Sequence, residues 1–187
     1  MNLHKMIALV LSPVTISLIA SLGTYVLDPN PLNLLLSIVL VTFCPIISVL
    51  RKSITGEIDI LVPDRPSRGP FFIQAIYCYF LASAIFIILG GKLWAMLSLS
   101  YAMVTTVVAY VNHKYTKVSV HMAGLAGPAT FLIYINSSWL GYMLFAFVPL
   151  LAWSRWKSGS HSIAQIALGI LVSILVTLAI CVLLSSI

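Results

Sequence analysis

The chain has 187 residues, of which 61% are hydrophobic and only 7% are charged. Soluble globular domains carry about 25% charged residues, so a soluble fold of this length could not bury so much apolar surface, whereas a lipid bilayer solvates it directly. The composition therefore excludes a soluble enzyme or a soluble binding domain. It predicts an all-α, polytopic transmembrane helix bundle that forms a single domain over residues 1–187.

Apolar runs near the 20-residue spanning length predict about six to seven membrane-spanning helices. In chain order the runs lie near Met6–Leu27, Pro31–Leu50, Pro70–Gly90, Leu93–Asn112, Val118–Ile135, Trp139–Trp153 and Ser162–Ser185. The first run is long enough to span, so we interpret it as a retained helix and not as a cleaved signal peptide. The sixth run is short, which indicates a tilted or incomplete span.

Two kinds of connection alternate between these runs. The tight, nearly uncharged turns are residues 28–31, 90–91 and 136–138. The longer, basic connections are residues 51–69, 113–117 and 154–161. With seven spans, the basic loops share one side of the membrane with the N-terminus, and that side carries nine of the ten Lys and Arg residues. The positive-inside rule then predicts an integral protein of the cell membrane with its basic loops in the cytoplasm.

The net charge of +6 could indicate nucleic acid binding in a soluble protein. Here the cations lie in short loops beside apolar runs, which favours anionic lipid headgroups or an anionic substrate as partners and not nucleic acid. The three cysteines match no metal-ligand spacing. We therefore expect no metal and no cofactor, and the oligomeric state is left open.

The basic loops also contain the residues best suited to chemistry. His121 begins the fifth predicted span, His161 begins the seventh, and Arg155 lies six residues before His161. Polar groups at such positions are costly and usually functional. The planar fork of arginine matches phosphoryl oxygens, and histidine acts as a nucleophile or a proton donor near neutral pH. The pattern indicates a phosphate site in which two histidines divide these roles without a metal.

Three segments in this part of the chain resemble the signatures of the type-2 phosphatidic acid phosphatase superfamily, which includes the vanadium haloperoxidases. Residues 154–165 read S-R-x5-H-x3-Q and are similar to the third signature, S-R-x5-H-x3-D. Residues 118–121 read V-S-V-H and resemble the second, P-S-G-H, while residues 65–66 resemble the close of the first, K-x6-R-P. The order is the same, and the resemblance covers about residues 52–187, a phosphatase-like core.

The resemblance implies a role for each matching position. His161 would attack phosphorus and form a phosphohistidine, and His121 would protonate the leaving oxygen. Arg65 and Arg155 would bind the non-bridging oxygens, because positive groups that meet developing negative charge stabilise the transition state. Backbone amides near Ser119 would add further donors.

The first signature is incomplete in this chain. The position seven residues before Arg65, where the family has lysine, is Ile58. Lys52 is the nearest lysine, and Arg68 is an alternative source of the missing charge. We therefore include Lys52 and Arg68 among the candidate phosphate ligands.

The second and third signatures also differ from the family pattern. Val120 replaces a glycine, which narrows the backbone geometry available to hold an oxyanion. Gln165 replaces the aspartate that orients the nucleophile; glutamine can hold the imidazole tautomer but does not stabilise imidazolium as a carboxylate does. The open outcomes are a slower enzyme, assistance from Asp59 or Asp64, or loss of activity.

The predicted function is that of a metal-independent lipid phosphatase. It would hydrolyse a phosphate monoester or diphosphate on an isoprenyl lipid or a glycerolipid, with the lipid tail among the helices. The alternative is a non-catalytic protein of the same fold that binds or transports lipid phosphates. A third reading is phosphoryl transfer to an acceptor other than water.

Overall fold

The computed structural model describes residues 2–61, 64–136 and 138–186. Within these ranges every regular element is helical, so the predicted all-α fold is confirmed. Five helical segments are long and apolar enough to cross a membrane, as expected of an integral membrane protein: Leu3–Leu27, Pro31–Ile54, Pro66–Ile88, Lys92–Lys114 and Ile163–Ser185.

The described residues form ten α-helices. In chain order they are α1 Leu3–Val10, α2 Pro13–Leu27, α3 Pro31–Ser37, α4 Ile47–Ile54, α5 Gly69–Ile88, α6 Lys92–Lys114, α7 Val120–Tyr134, α8 Ser138–Ala146, α9 Val148–Lys157 and α10 Ile163–Ser185. A π-helical turn, Ile38–Phe43, and a 3-10 turn, Cys44–Ile46, join α3 to α4 within the second span. A second 3-10 turn, Pro66–Arg68, leads into α5.

Two of the predicted spans are interrupted. The first breaks between α1 and α2, where the Ser12 hydroxyl accepts a hydrogen bond from the Thr15 backbone N–H and Pro13 opens the new helix. Both are typical of a helix start. The sixth consists of α8 and α9, which meet at Phe147. Pro149, the second residue of α9, has no N–H to continue the hydrogen bonding of α8. The short sixth run is therefore a pair of helices.

Small residues allow α7 to pack closely between α2 and α10. A Cβ atom added to Gly124 would lie 3.1 Å from Pro13 of α2, and one added to Gly127 would lie 3.4 Å from the Ser173 Cβ of α10. Close backbone approach at small residues is a common way for helices to associate in membranes. The glycines of the run 123–127 therefore serve helix contact.

The basic loops and the N-terminus meet at one end of the bundle. Four contacts join them: Lys5 Nζ to Asp59 Oδ2 at 3.1 Å, Arg65 Nη2 to the His113 carbonyl at 2.9 Å, Lys117 Nζ to the Ser160 carbonyl at 2.9 Å, and Ser154 Oγ to the His4 carbonyl at 2.6 Å. At the other end, Tyr134 OH lies 2.9 Å from Ser185 Oγ. The three loops that charge counting assigned to one side are therefore neighbours, and we call this end the basic end.

Candidate active site

A cavity of about 260 Å³ lies between the helices near the basic end. Its wall is mostly apolar and aromatic and includes Leu9 of α1, Phe72 of α5 and Val108 of α6. Among the described residues of that wall, the charged or imidazole side chains are Arg68, His121 and His161. The cavity therefore combines one small polar region with a large apolar surface.

The two histidines come from elements far apart in sequence that are joined at their starts. His121 lies in the first turn of α7, and His161 lies in the turn before α10. The Ser119 backbone N–H donates to the Gln165 carbonyl at 3.3 Å. A Cβ atom on Gly169 would lie only 2.7 Å from the Ser119 carbonyl oxygen, so this close approach requires glycine.

His161 is 5% exposed, and its Nδ1 has no hydrogen-bond partner among the described residues. Burial lowers the pKa of His161 to about 3, and the nearby charges of Arg68, Lys117 and Arg155 act in the same direction, while Gln165 opposes them. The imidazole is therefore neutral at physiological pH. A neutral ring has the free electron pair that a nucleophile requires.

His121 also lines the cavity. Its ring lies beside the backbone carbonyl of Ala8 and within electrostatic range of Arg155 and His161. Its Nε2 is buried and has no hydrogen-bond partner among the described residues. A buried polar atom without a partner costs about 1–3 kcal/mol, so a ligand that offers this nitrogen a hydrogen-bond partner would be stabilised there.

Cations surround the histidines. Arg68 is 6% exposed and donates to the Val118 carbonyl at 3.2 Å. Arg155 is 2% exposed, and its Nε has no hydrogen-bond partner among the described residues. Both interact electrostatically with Lys117, which is partly buried. Because buried like charges repel one another, an anion bound among these three side chains would relieve that repulsion.

The structure brings Arg68, and not Arg65, into the cavity wall. Arg65 donates through Nε and Nη2 to the carbonyls of Asn112 and His113 at the end of α6. Arg68 ends the 3-10 turn Pro66–Arg68 directly before α5, and it donates to the Val118 carbonyl. Arg68 is therefore the arginine of this loop that is placed at the cavity.

Neither Lys52 nor Ser119 is placed to bind a phosphate in the cavity. Lys52 is half-exposed, pairs with Glu57 at 3.7 Å and does not line the cavity. Ser119 is the buried N-cap of α7, but its backbone N–H already donates to the Gln165 carbonyl and is therefore not available to a ligand. Its hydroxyl has no partner among the described residues.

Gln165 has a clear structural role. Its side-chain oxygen accepts from the Ser162 N–H at 3.2 Å, and the Ser162 hydroxyl accepts from the Gln165 N–H, which forms a capping box at the start of α10. Its Nε2 donates to Thr116 Oγ1 at 3.3 Å. The predicted hydrogen bond that fixes the His161 tautomer is not formed at Nδ1, which has no partner among the described residues. The Gln165 side chain nevertheless lies within hydrogen-bonding range of the His161 ring and favours its protonated form.

In the sequence, Lys117 counts only among the nine basic residues that predict the orientation, but its side chain belongs to this cluster. Its Nζ donates to the carbonyl of Ser160, the residue before His161. The available signal was its position directly before the segment 118–121. Among the described residues, no group of three or more His, Cys, Asp or Glu side chains is arranged to hold a metal ion.

Comparison of this chain with protein-family models, with curated proteins and with solved structures finds no match. The assignment of a function therefore rests on the arrangement of side chains around the cavity.

Proposed function

We propose that this chain is an integral-membrane lipid phosphatase that works through a phosphohistidine intermediate. The observation that carries the proposal is the pairing of His121 and His161 with Arg68 at the polar part of an otherwise apolar cavity. A phosphate group fits the polar part, and the lipid tail fits the apolar wall. Isoprenyl and glycerolipid phosphates, as monoesters or diphosphates, are the substrate classes that combine these features.

The chemistry follows from the positions of the two rings. A ring nitrogen of His161 attacks phosphorus, and the bond from phosphorus to the leaving oxygen breaks with its electron pair on that oxygen. His121 takes up a proton when the negative charge of the phosphate is bound beside it, and it gives this proton to the leaving oxygen. Water then attacks the phosphohistidine with His121 as base, and phosphate leaves. Arg68 and Arg155 stabilise the charge on the non-bridging oxygens.

The location of the site is part of the same proposal. Nine of the ten basic residues lie at or near the basic end, so the positive-inside rule puts the cavity on the cytoplasmic side of the cell membrane. The substrate would then be a lipid phosphate made or used in the cytoplasmic leaflet.

One observation favours a second candidate, a non-catalytic protein that binds or transports lipid phosphates. His161 Nδ1 has no partner among the described residues, and Gln165 cannot stabilise an imidazolium as a carboxylate does. A site of this kind would bind phosphate but turn over slowly or not at all.

Phosphate release by the purified full-length chain in detergent tests these alternatives. The substrates are an isoprenyl monophosphate, an isoprenyl diphosphate and a glycerolipid phosphate, each with and without EDTA. We expect release that EDTA does not affect, and we expect His161→Asn to reduce it by at least about 10³-fold, because a lost nucleophile has effects of this size or larger. Labelled phosphate from substrate should be retained on His161 alone.

Two further variants sharpen the test. His121→Asn should be rescued in part by p-nitrophenyl phosphate, whose leaving group needs no proton. His113→Asn is the matched control, since His113 is exposed at the end of α6 and does not line the cavity. Binding of lipid phosphate without turnover by the wild type would support the second candidate. Turnover that requires Mg²⁺ and is lost with chelator would contradict the mechanism.

A further inference from the structure

We infer that Lys117 is a phosphate-binding residue of this site and supplies the lysine that is missing ahead of Arg65. The inference rests on the proposed function, since it assigns a ligand to the same phosphate position. The lysine of the site then comes from the link between α6 and α7, directly before the segment 118–121.

The position of Lys117 is the first support. Lys117 lies in the link of residues 115–119, four residues before His121. Its Nζ donates to the Ser160 carbonyl at 2.9 Å, which holds the ammonium group beside His161. An ammonium group has three N–H donors, so two remain for phosphoryl oxygens when one is used on Ser160. Lys117 therefore lies on the segment that leads to His121 and contacts the segment that carries His161.

The surrounding charges are the second support. Burial lowers the pKa of Lys117, and Arg68 and Arg155 lower it further, while Asp64 acts in the opposite direction with a smaller effect. Lys117, Arg68 and Arg155 thus form a group of three cations supplied by three different elements. A phosphate dianion at their centre would attract all three cations and so offset their mutual repulsion. The planar arginines and the point charge of lysine are complementary ligands for it.

The other lysines of the basic end do not fit this role. Lys52 pairs with Glu57 and is half-exposed. Lys114 is exposed at the last turn of α6, only three residues from Lys117, and forms no hydrogen bond or ion pair through its side chain with the described residues. It is therefore a matched control with the same charge, placed directly before the same link.

The test compares Lys117→Met, Lys117→Gln, Lys117→Arg and Lys114→Met in the purified full-length chain. The readouts are KM and kcat for the lipid phosphate of the activity assay, and the inhibition constant of inorganic phosphate. Loss of a hydrogen bond between charged groups should raise KM and the phosphate inhibition constant of Lys117→Met by about 10- to 100-fold. Lys117→Arg should lie closer to the wild type than Lys117→Met, and Lys114→Met should match the wild type.

A purely structural role for Lys117 predicts a different result. Loss of its contact with Ser160 would then lower kcat and thermal stability and leave the inhibition constant of phosphate unchanged, which would overturn the inference. Lys117→Gln keeps a donor for the Ser160 carbonyl without the charge, so it decides the question where Lys117→Met does not fold. It should still show the weakened phosphate inhibition.

A different set of results is expected if the chain has no phosphatase activity. If the wild type releases no phosphate from any lipid, calorimetric binding of inorganic phosphate replaces the kinetic readout. Weaker binding in Lys117→Gln than in Lys114→Met would support Lys117 as a ligand of a non-catalytic site. Equal binding in both variants would contradict it.

Discussion

At the scale of single residues, the environment of His161 sets its protonation state. Burial and the cations Arg68, Lys117 and Arg155 all disfavour a positive charge on the ring, and only Gln165 acts in the opposite direction. The same cations that keep His161 neutral before binding also attract the phosphate that it would attack. In the proposed mechanism, nucleophile activation and substrate binding would therefore have one electrostatic cause.

The lowered pKa of His161 predicts a dependence of stability on pH. The pKa is about 3 in the folded chain and 6.5 in the unfolded chain, so between these values the unfolded chain binds more protons. Stability is then fully present above about pH 6.5 and falls as the pH drops toward 3, by at most about 1.4 kcal/mol per pH unit for one group.

Thermal unfolding of the detergent-solubilised chain across this range measures the effect. His161→Asn should reduce the loss of Tm on acidification, whereas His113→Asn, at an exposed position, should follow the wild type. The pKa of Asp59 is also lowered, first by the Leu61 N–H and then by Lys5, and it contributes a loss in the same direction at lower pH. Identical pH profiles of the wild type and His161→Asn would contradict the prediction.

At the scale of elements, the contact between the start of α7 and the first turns of α10 brings the two histidines together. The Ser119 N–H donates to the Gln165 carbonyl. The Ser119 carbonyl lies so close to Gly169 that there is no room for a side chain at that position. The capping box of Ser162 and Gln165 starts α10 directly after His161. Gln165 thus positions the start of α10, two residues after His161, whatever its effect on the ring.

This contact predicts that Gly169→Ala is destabilising. The added Cβ would lie 2.7 Å from a backbone oxygen, so α7 and α10 must separate, and overpacking of this kind costs about 1–3 kcal/mol. Both Tm and phosphate release should fall, because His121 moves relative to His161. Gly69→Ala is the matched control: a Cβ at Gly69 meets no atom within 4 Å, so its Tm should be unchanged or slightly higher.

At the scale of the whole molecule, the alternation of tight turns and basic loops determines which segments meet. The contacts of Lys5 with Asp59 and of Lys117 with Ser160 join segments that are far apart in the sequence at the basic end. Flipping the chain in the membrane would move all of these cations to the side that Lys and Arg avoid. We therefore expect the basic end in the cytoplasm and the C-terminus outside.

Cysteine labelling tests this orientation. Single cysteines replace Thr55 and Ser186, both exposed and at opposite ends of the bundle, in a background without Cys44, Cys78 and Cys181. A membrane-impermeant thiol reagent on intact cells should label position 186 and spare position 55. Permeabilised cells, in which both positions should react, are the control. Labelling of position 55 alone on intact cells would place the cavity outside.

The solvent, the fold class and the meeting of the loops all follow from the amino-acid sequence. An apolar content of 61% requires a bilayer, and apolar runs of about 20 residues cross it as helices, which bond their backbone polar groups internally where there is no water. The alternation of spans then brings the basic loops to the same end. These conclusions depend on local composition and on the length of the apolar runs, which can be read directly from the sequence.

Only the tertiary structure decided which side chains face the cavity. Arg68, at the end of a 3-10 turn, lines the cavity, whereas Arg65 binds the end of α6. Lys117 contacts Ser160 beside His161, whereas Lys52 pairs locally with Glu57. Which of these side chains approach the histidines depends on contacts between segments more than 40 residues apart. The spacing of residues along the chain carries no information about the helix packing that forms these contacts.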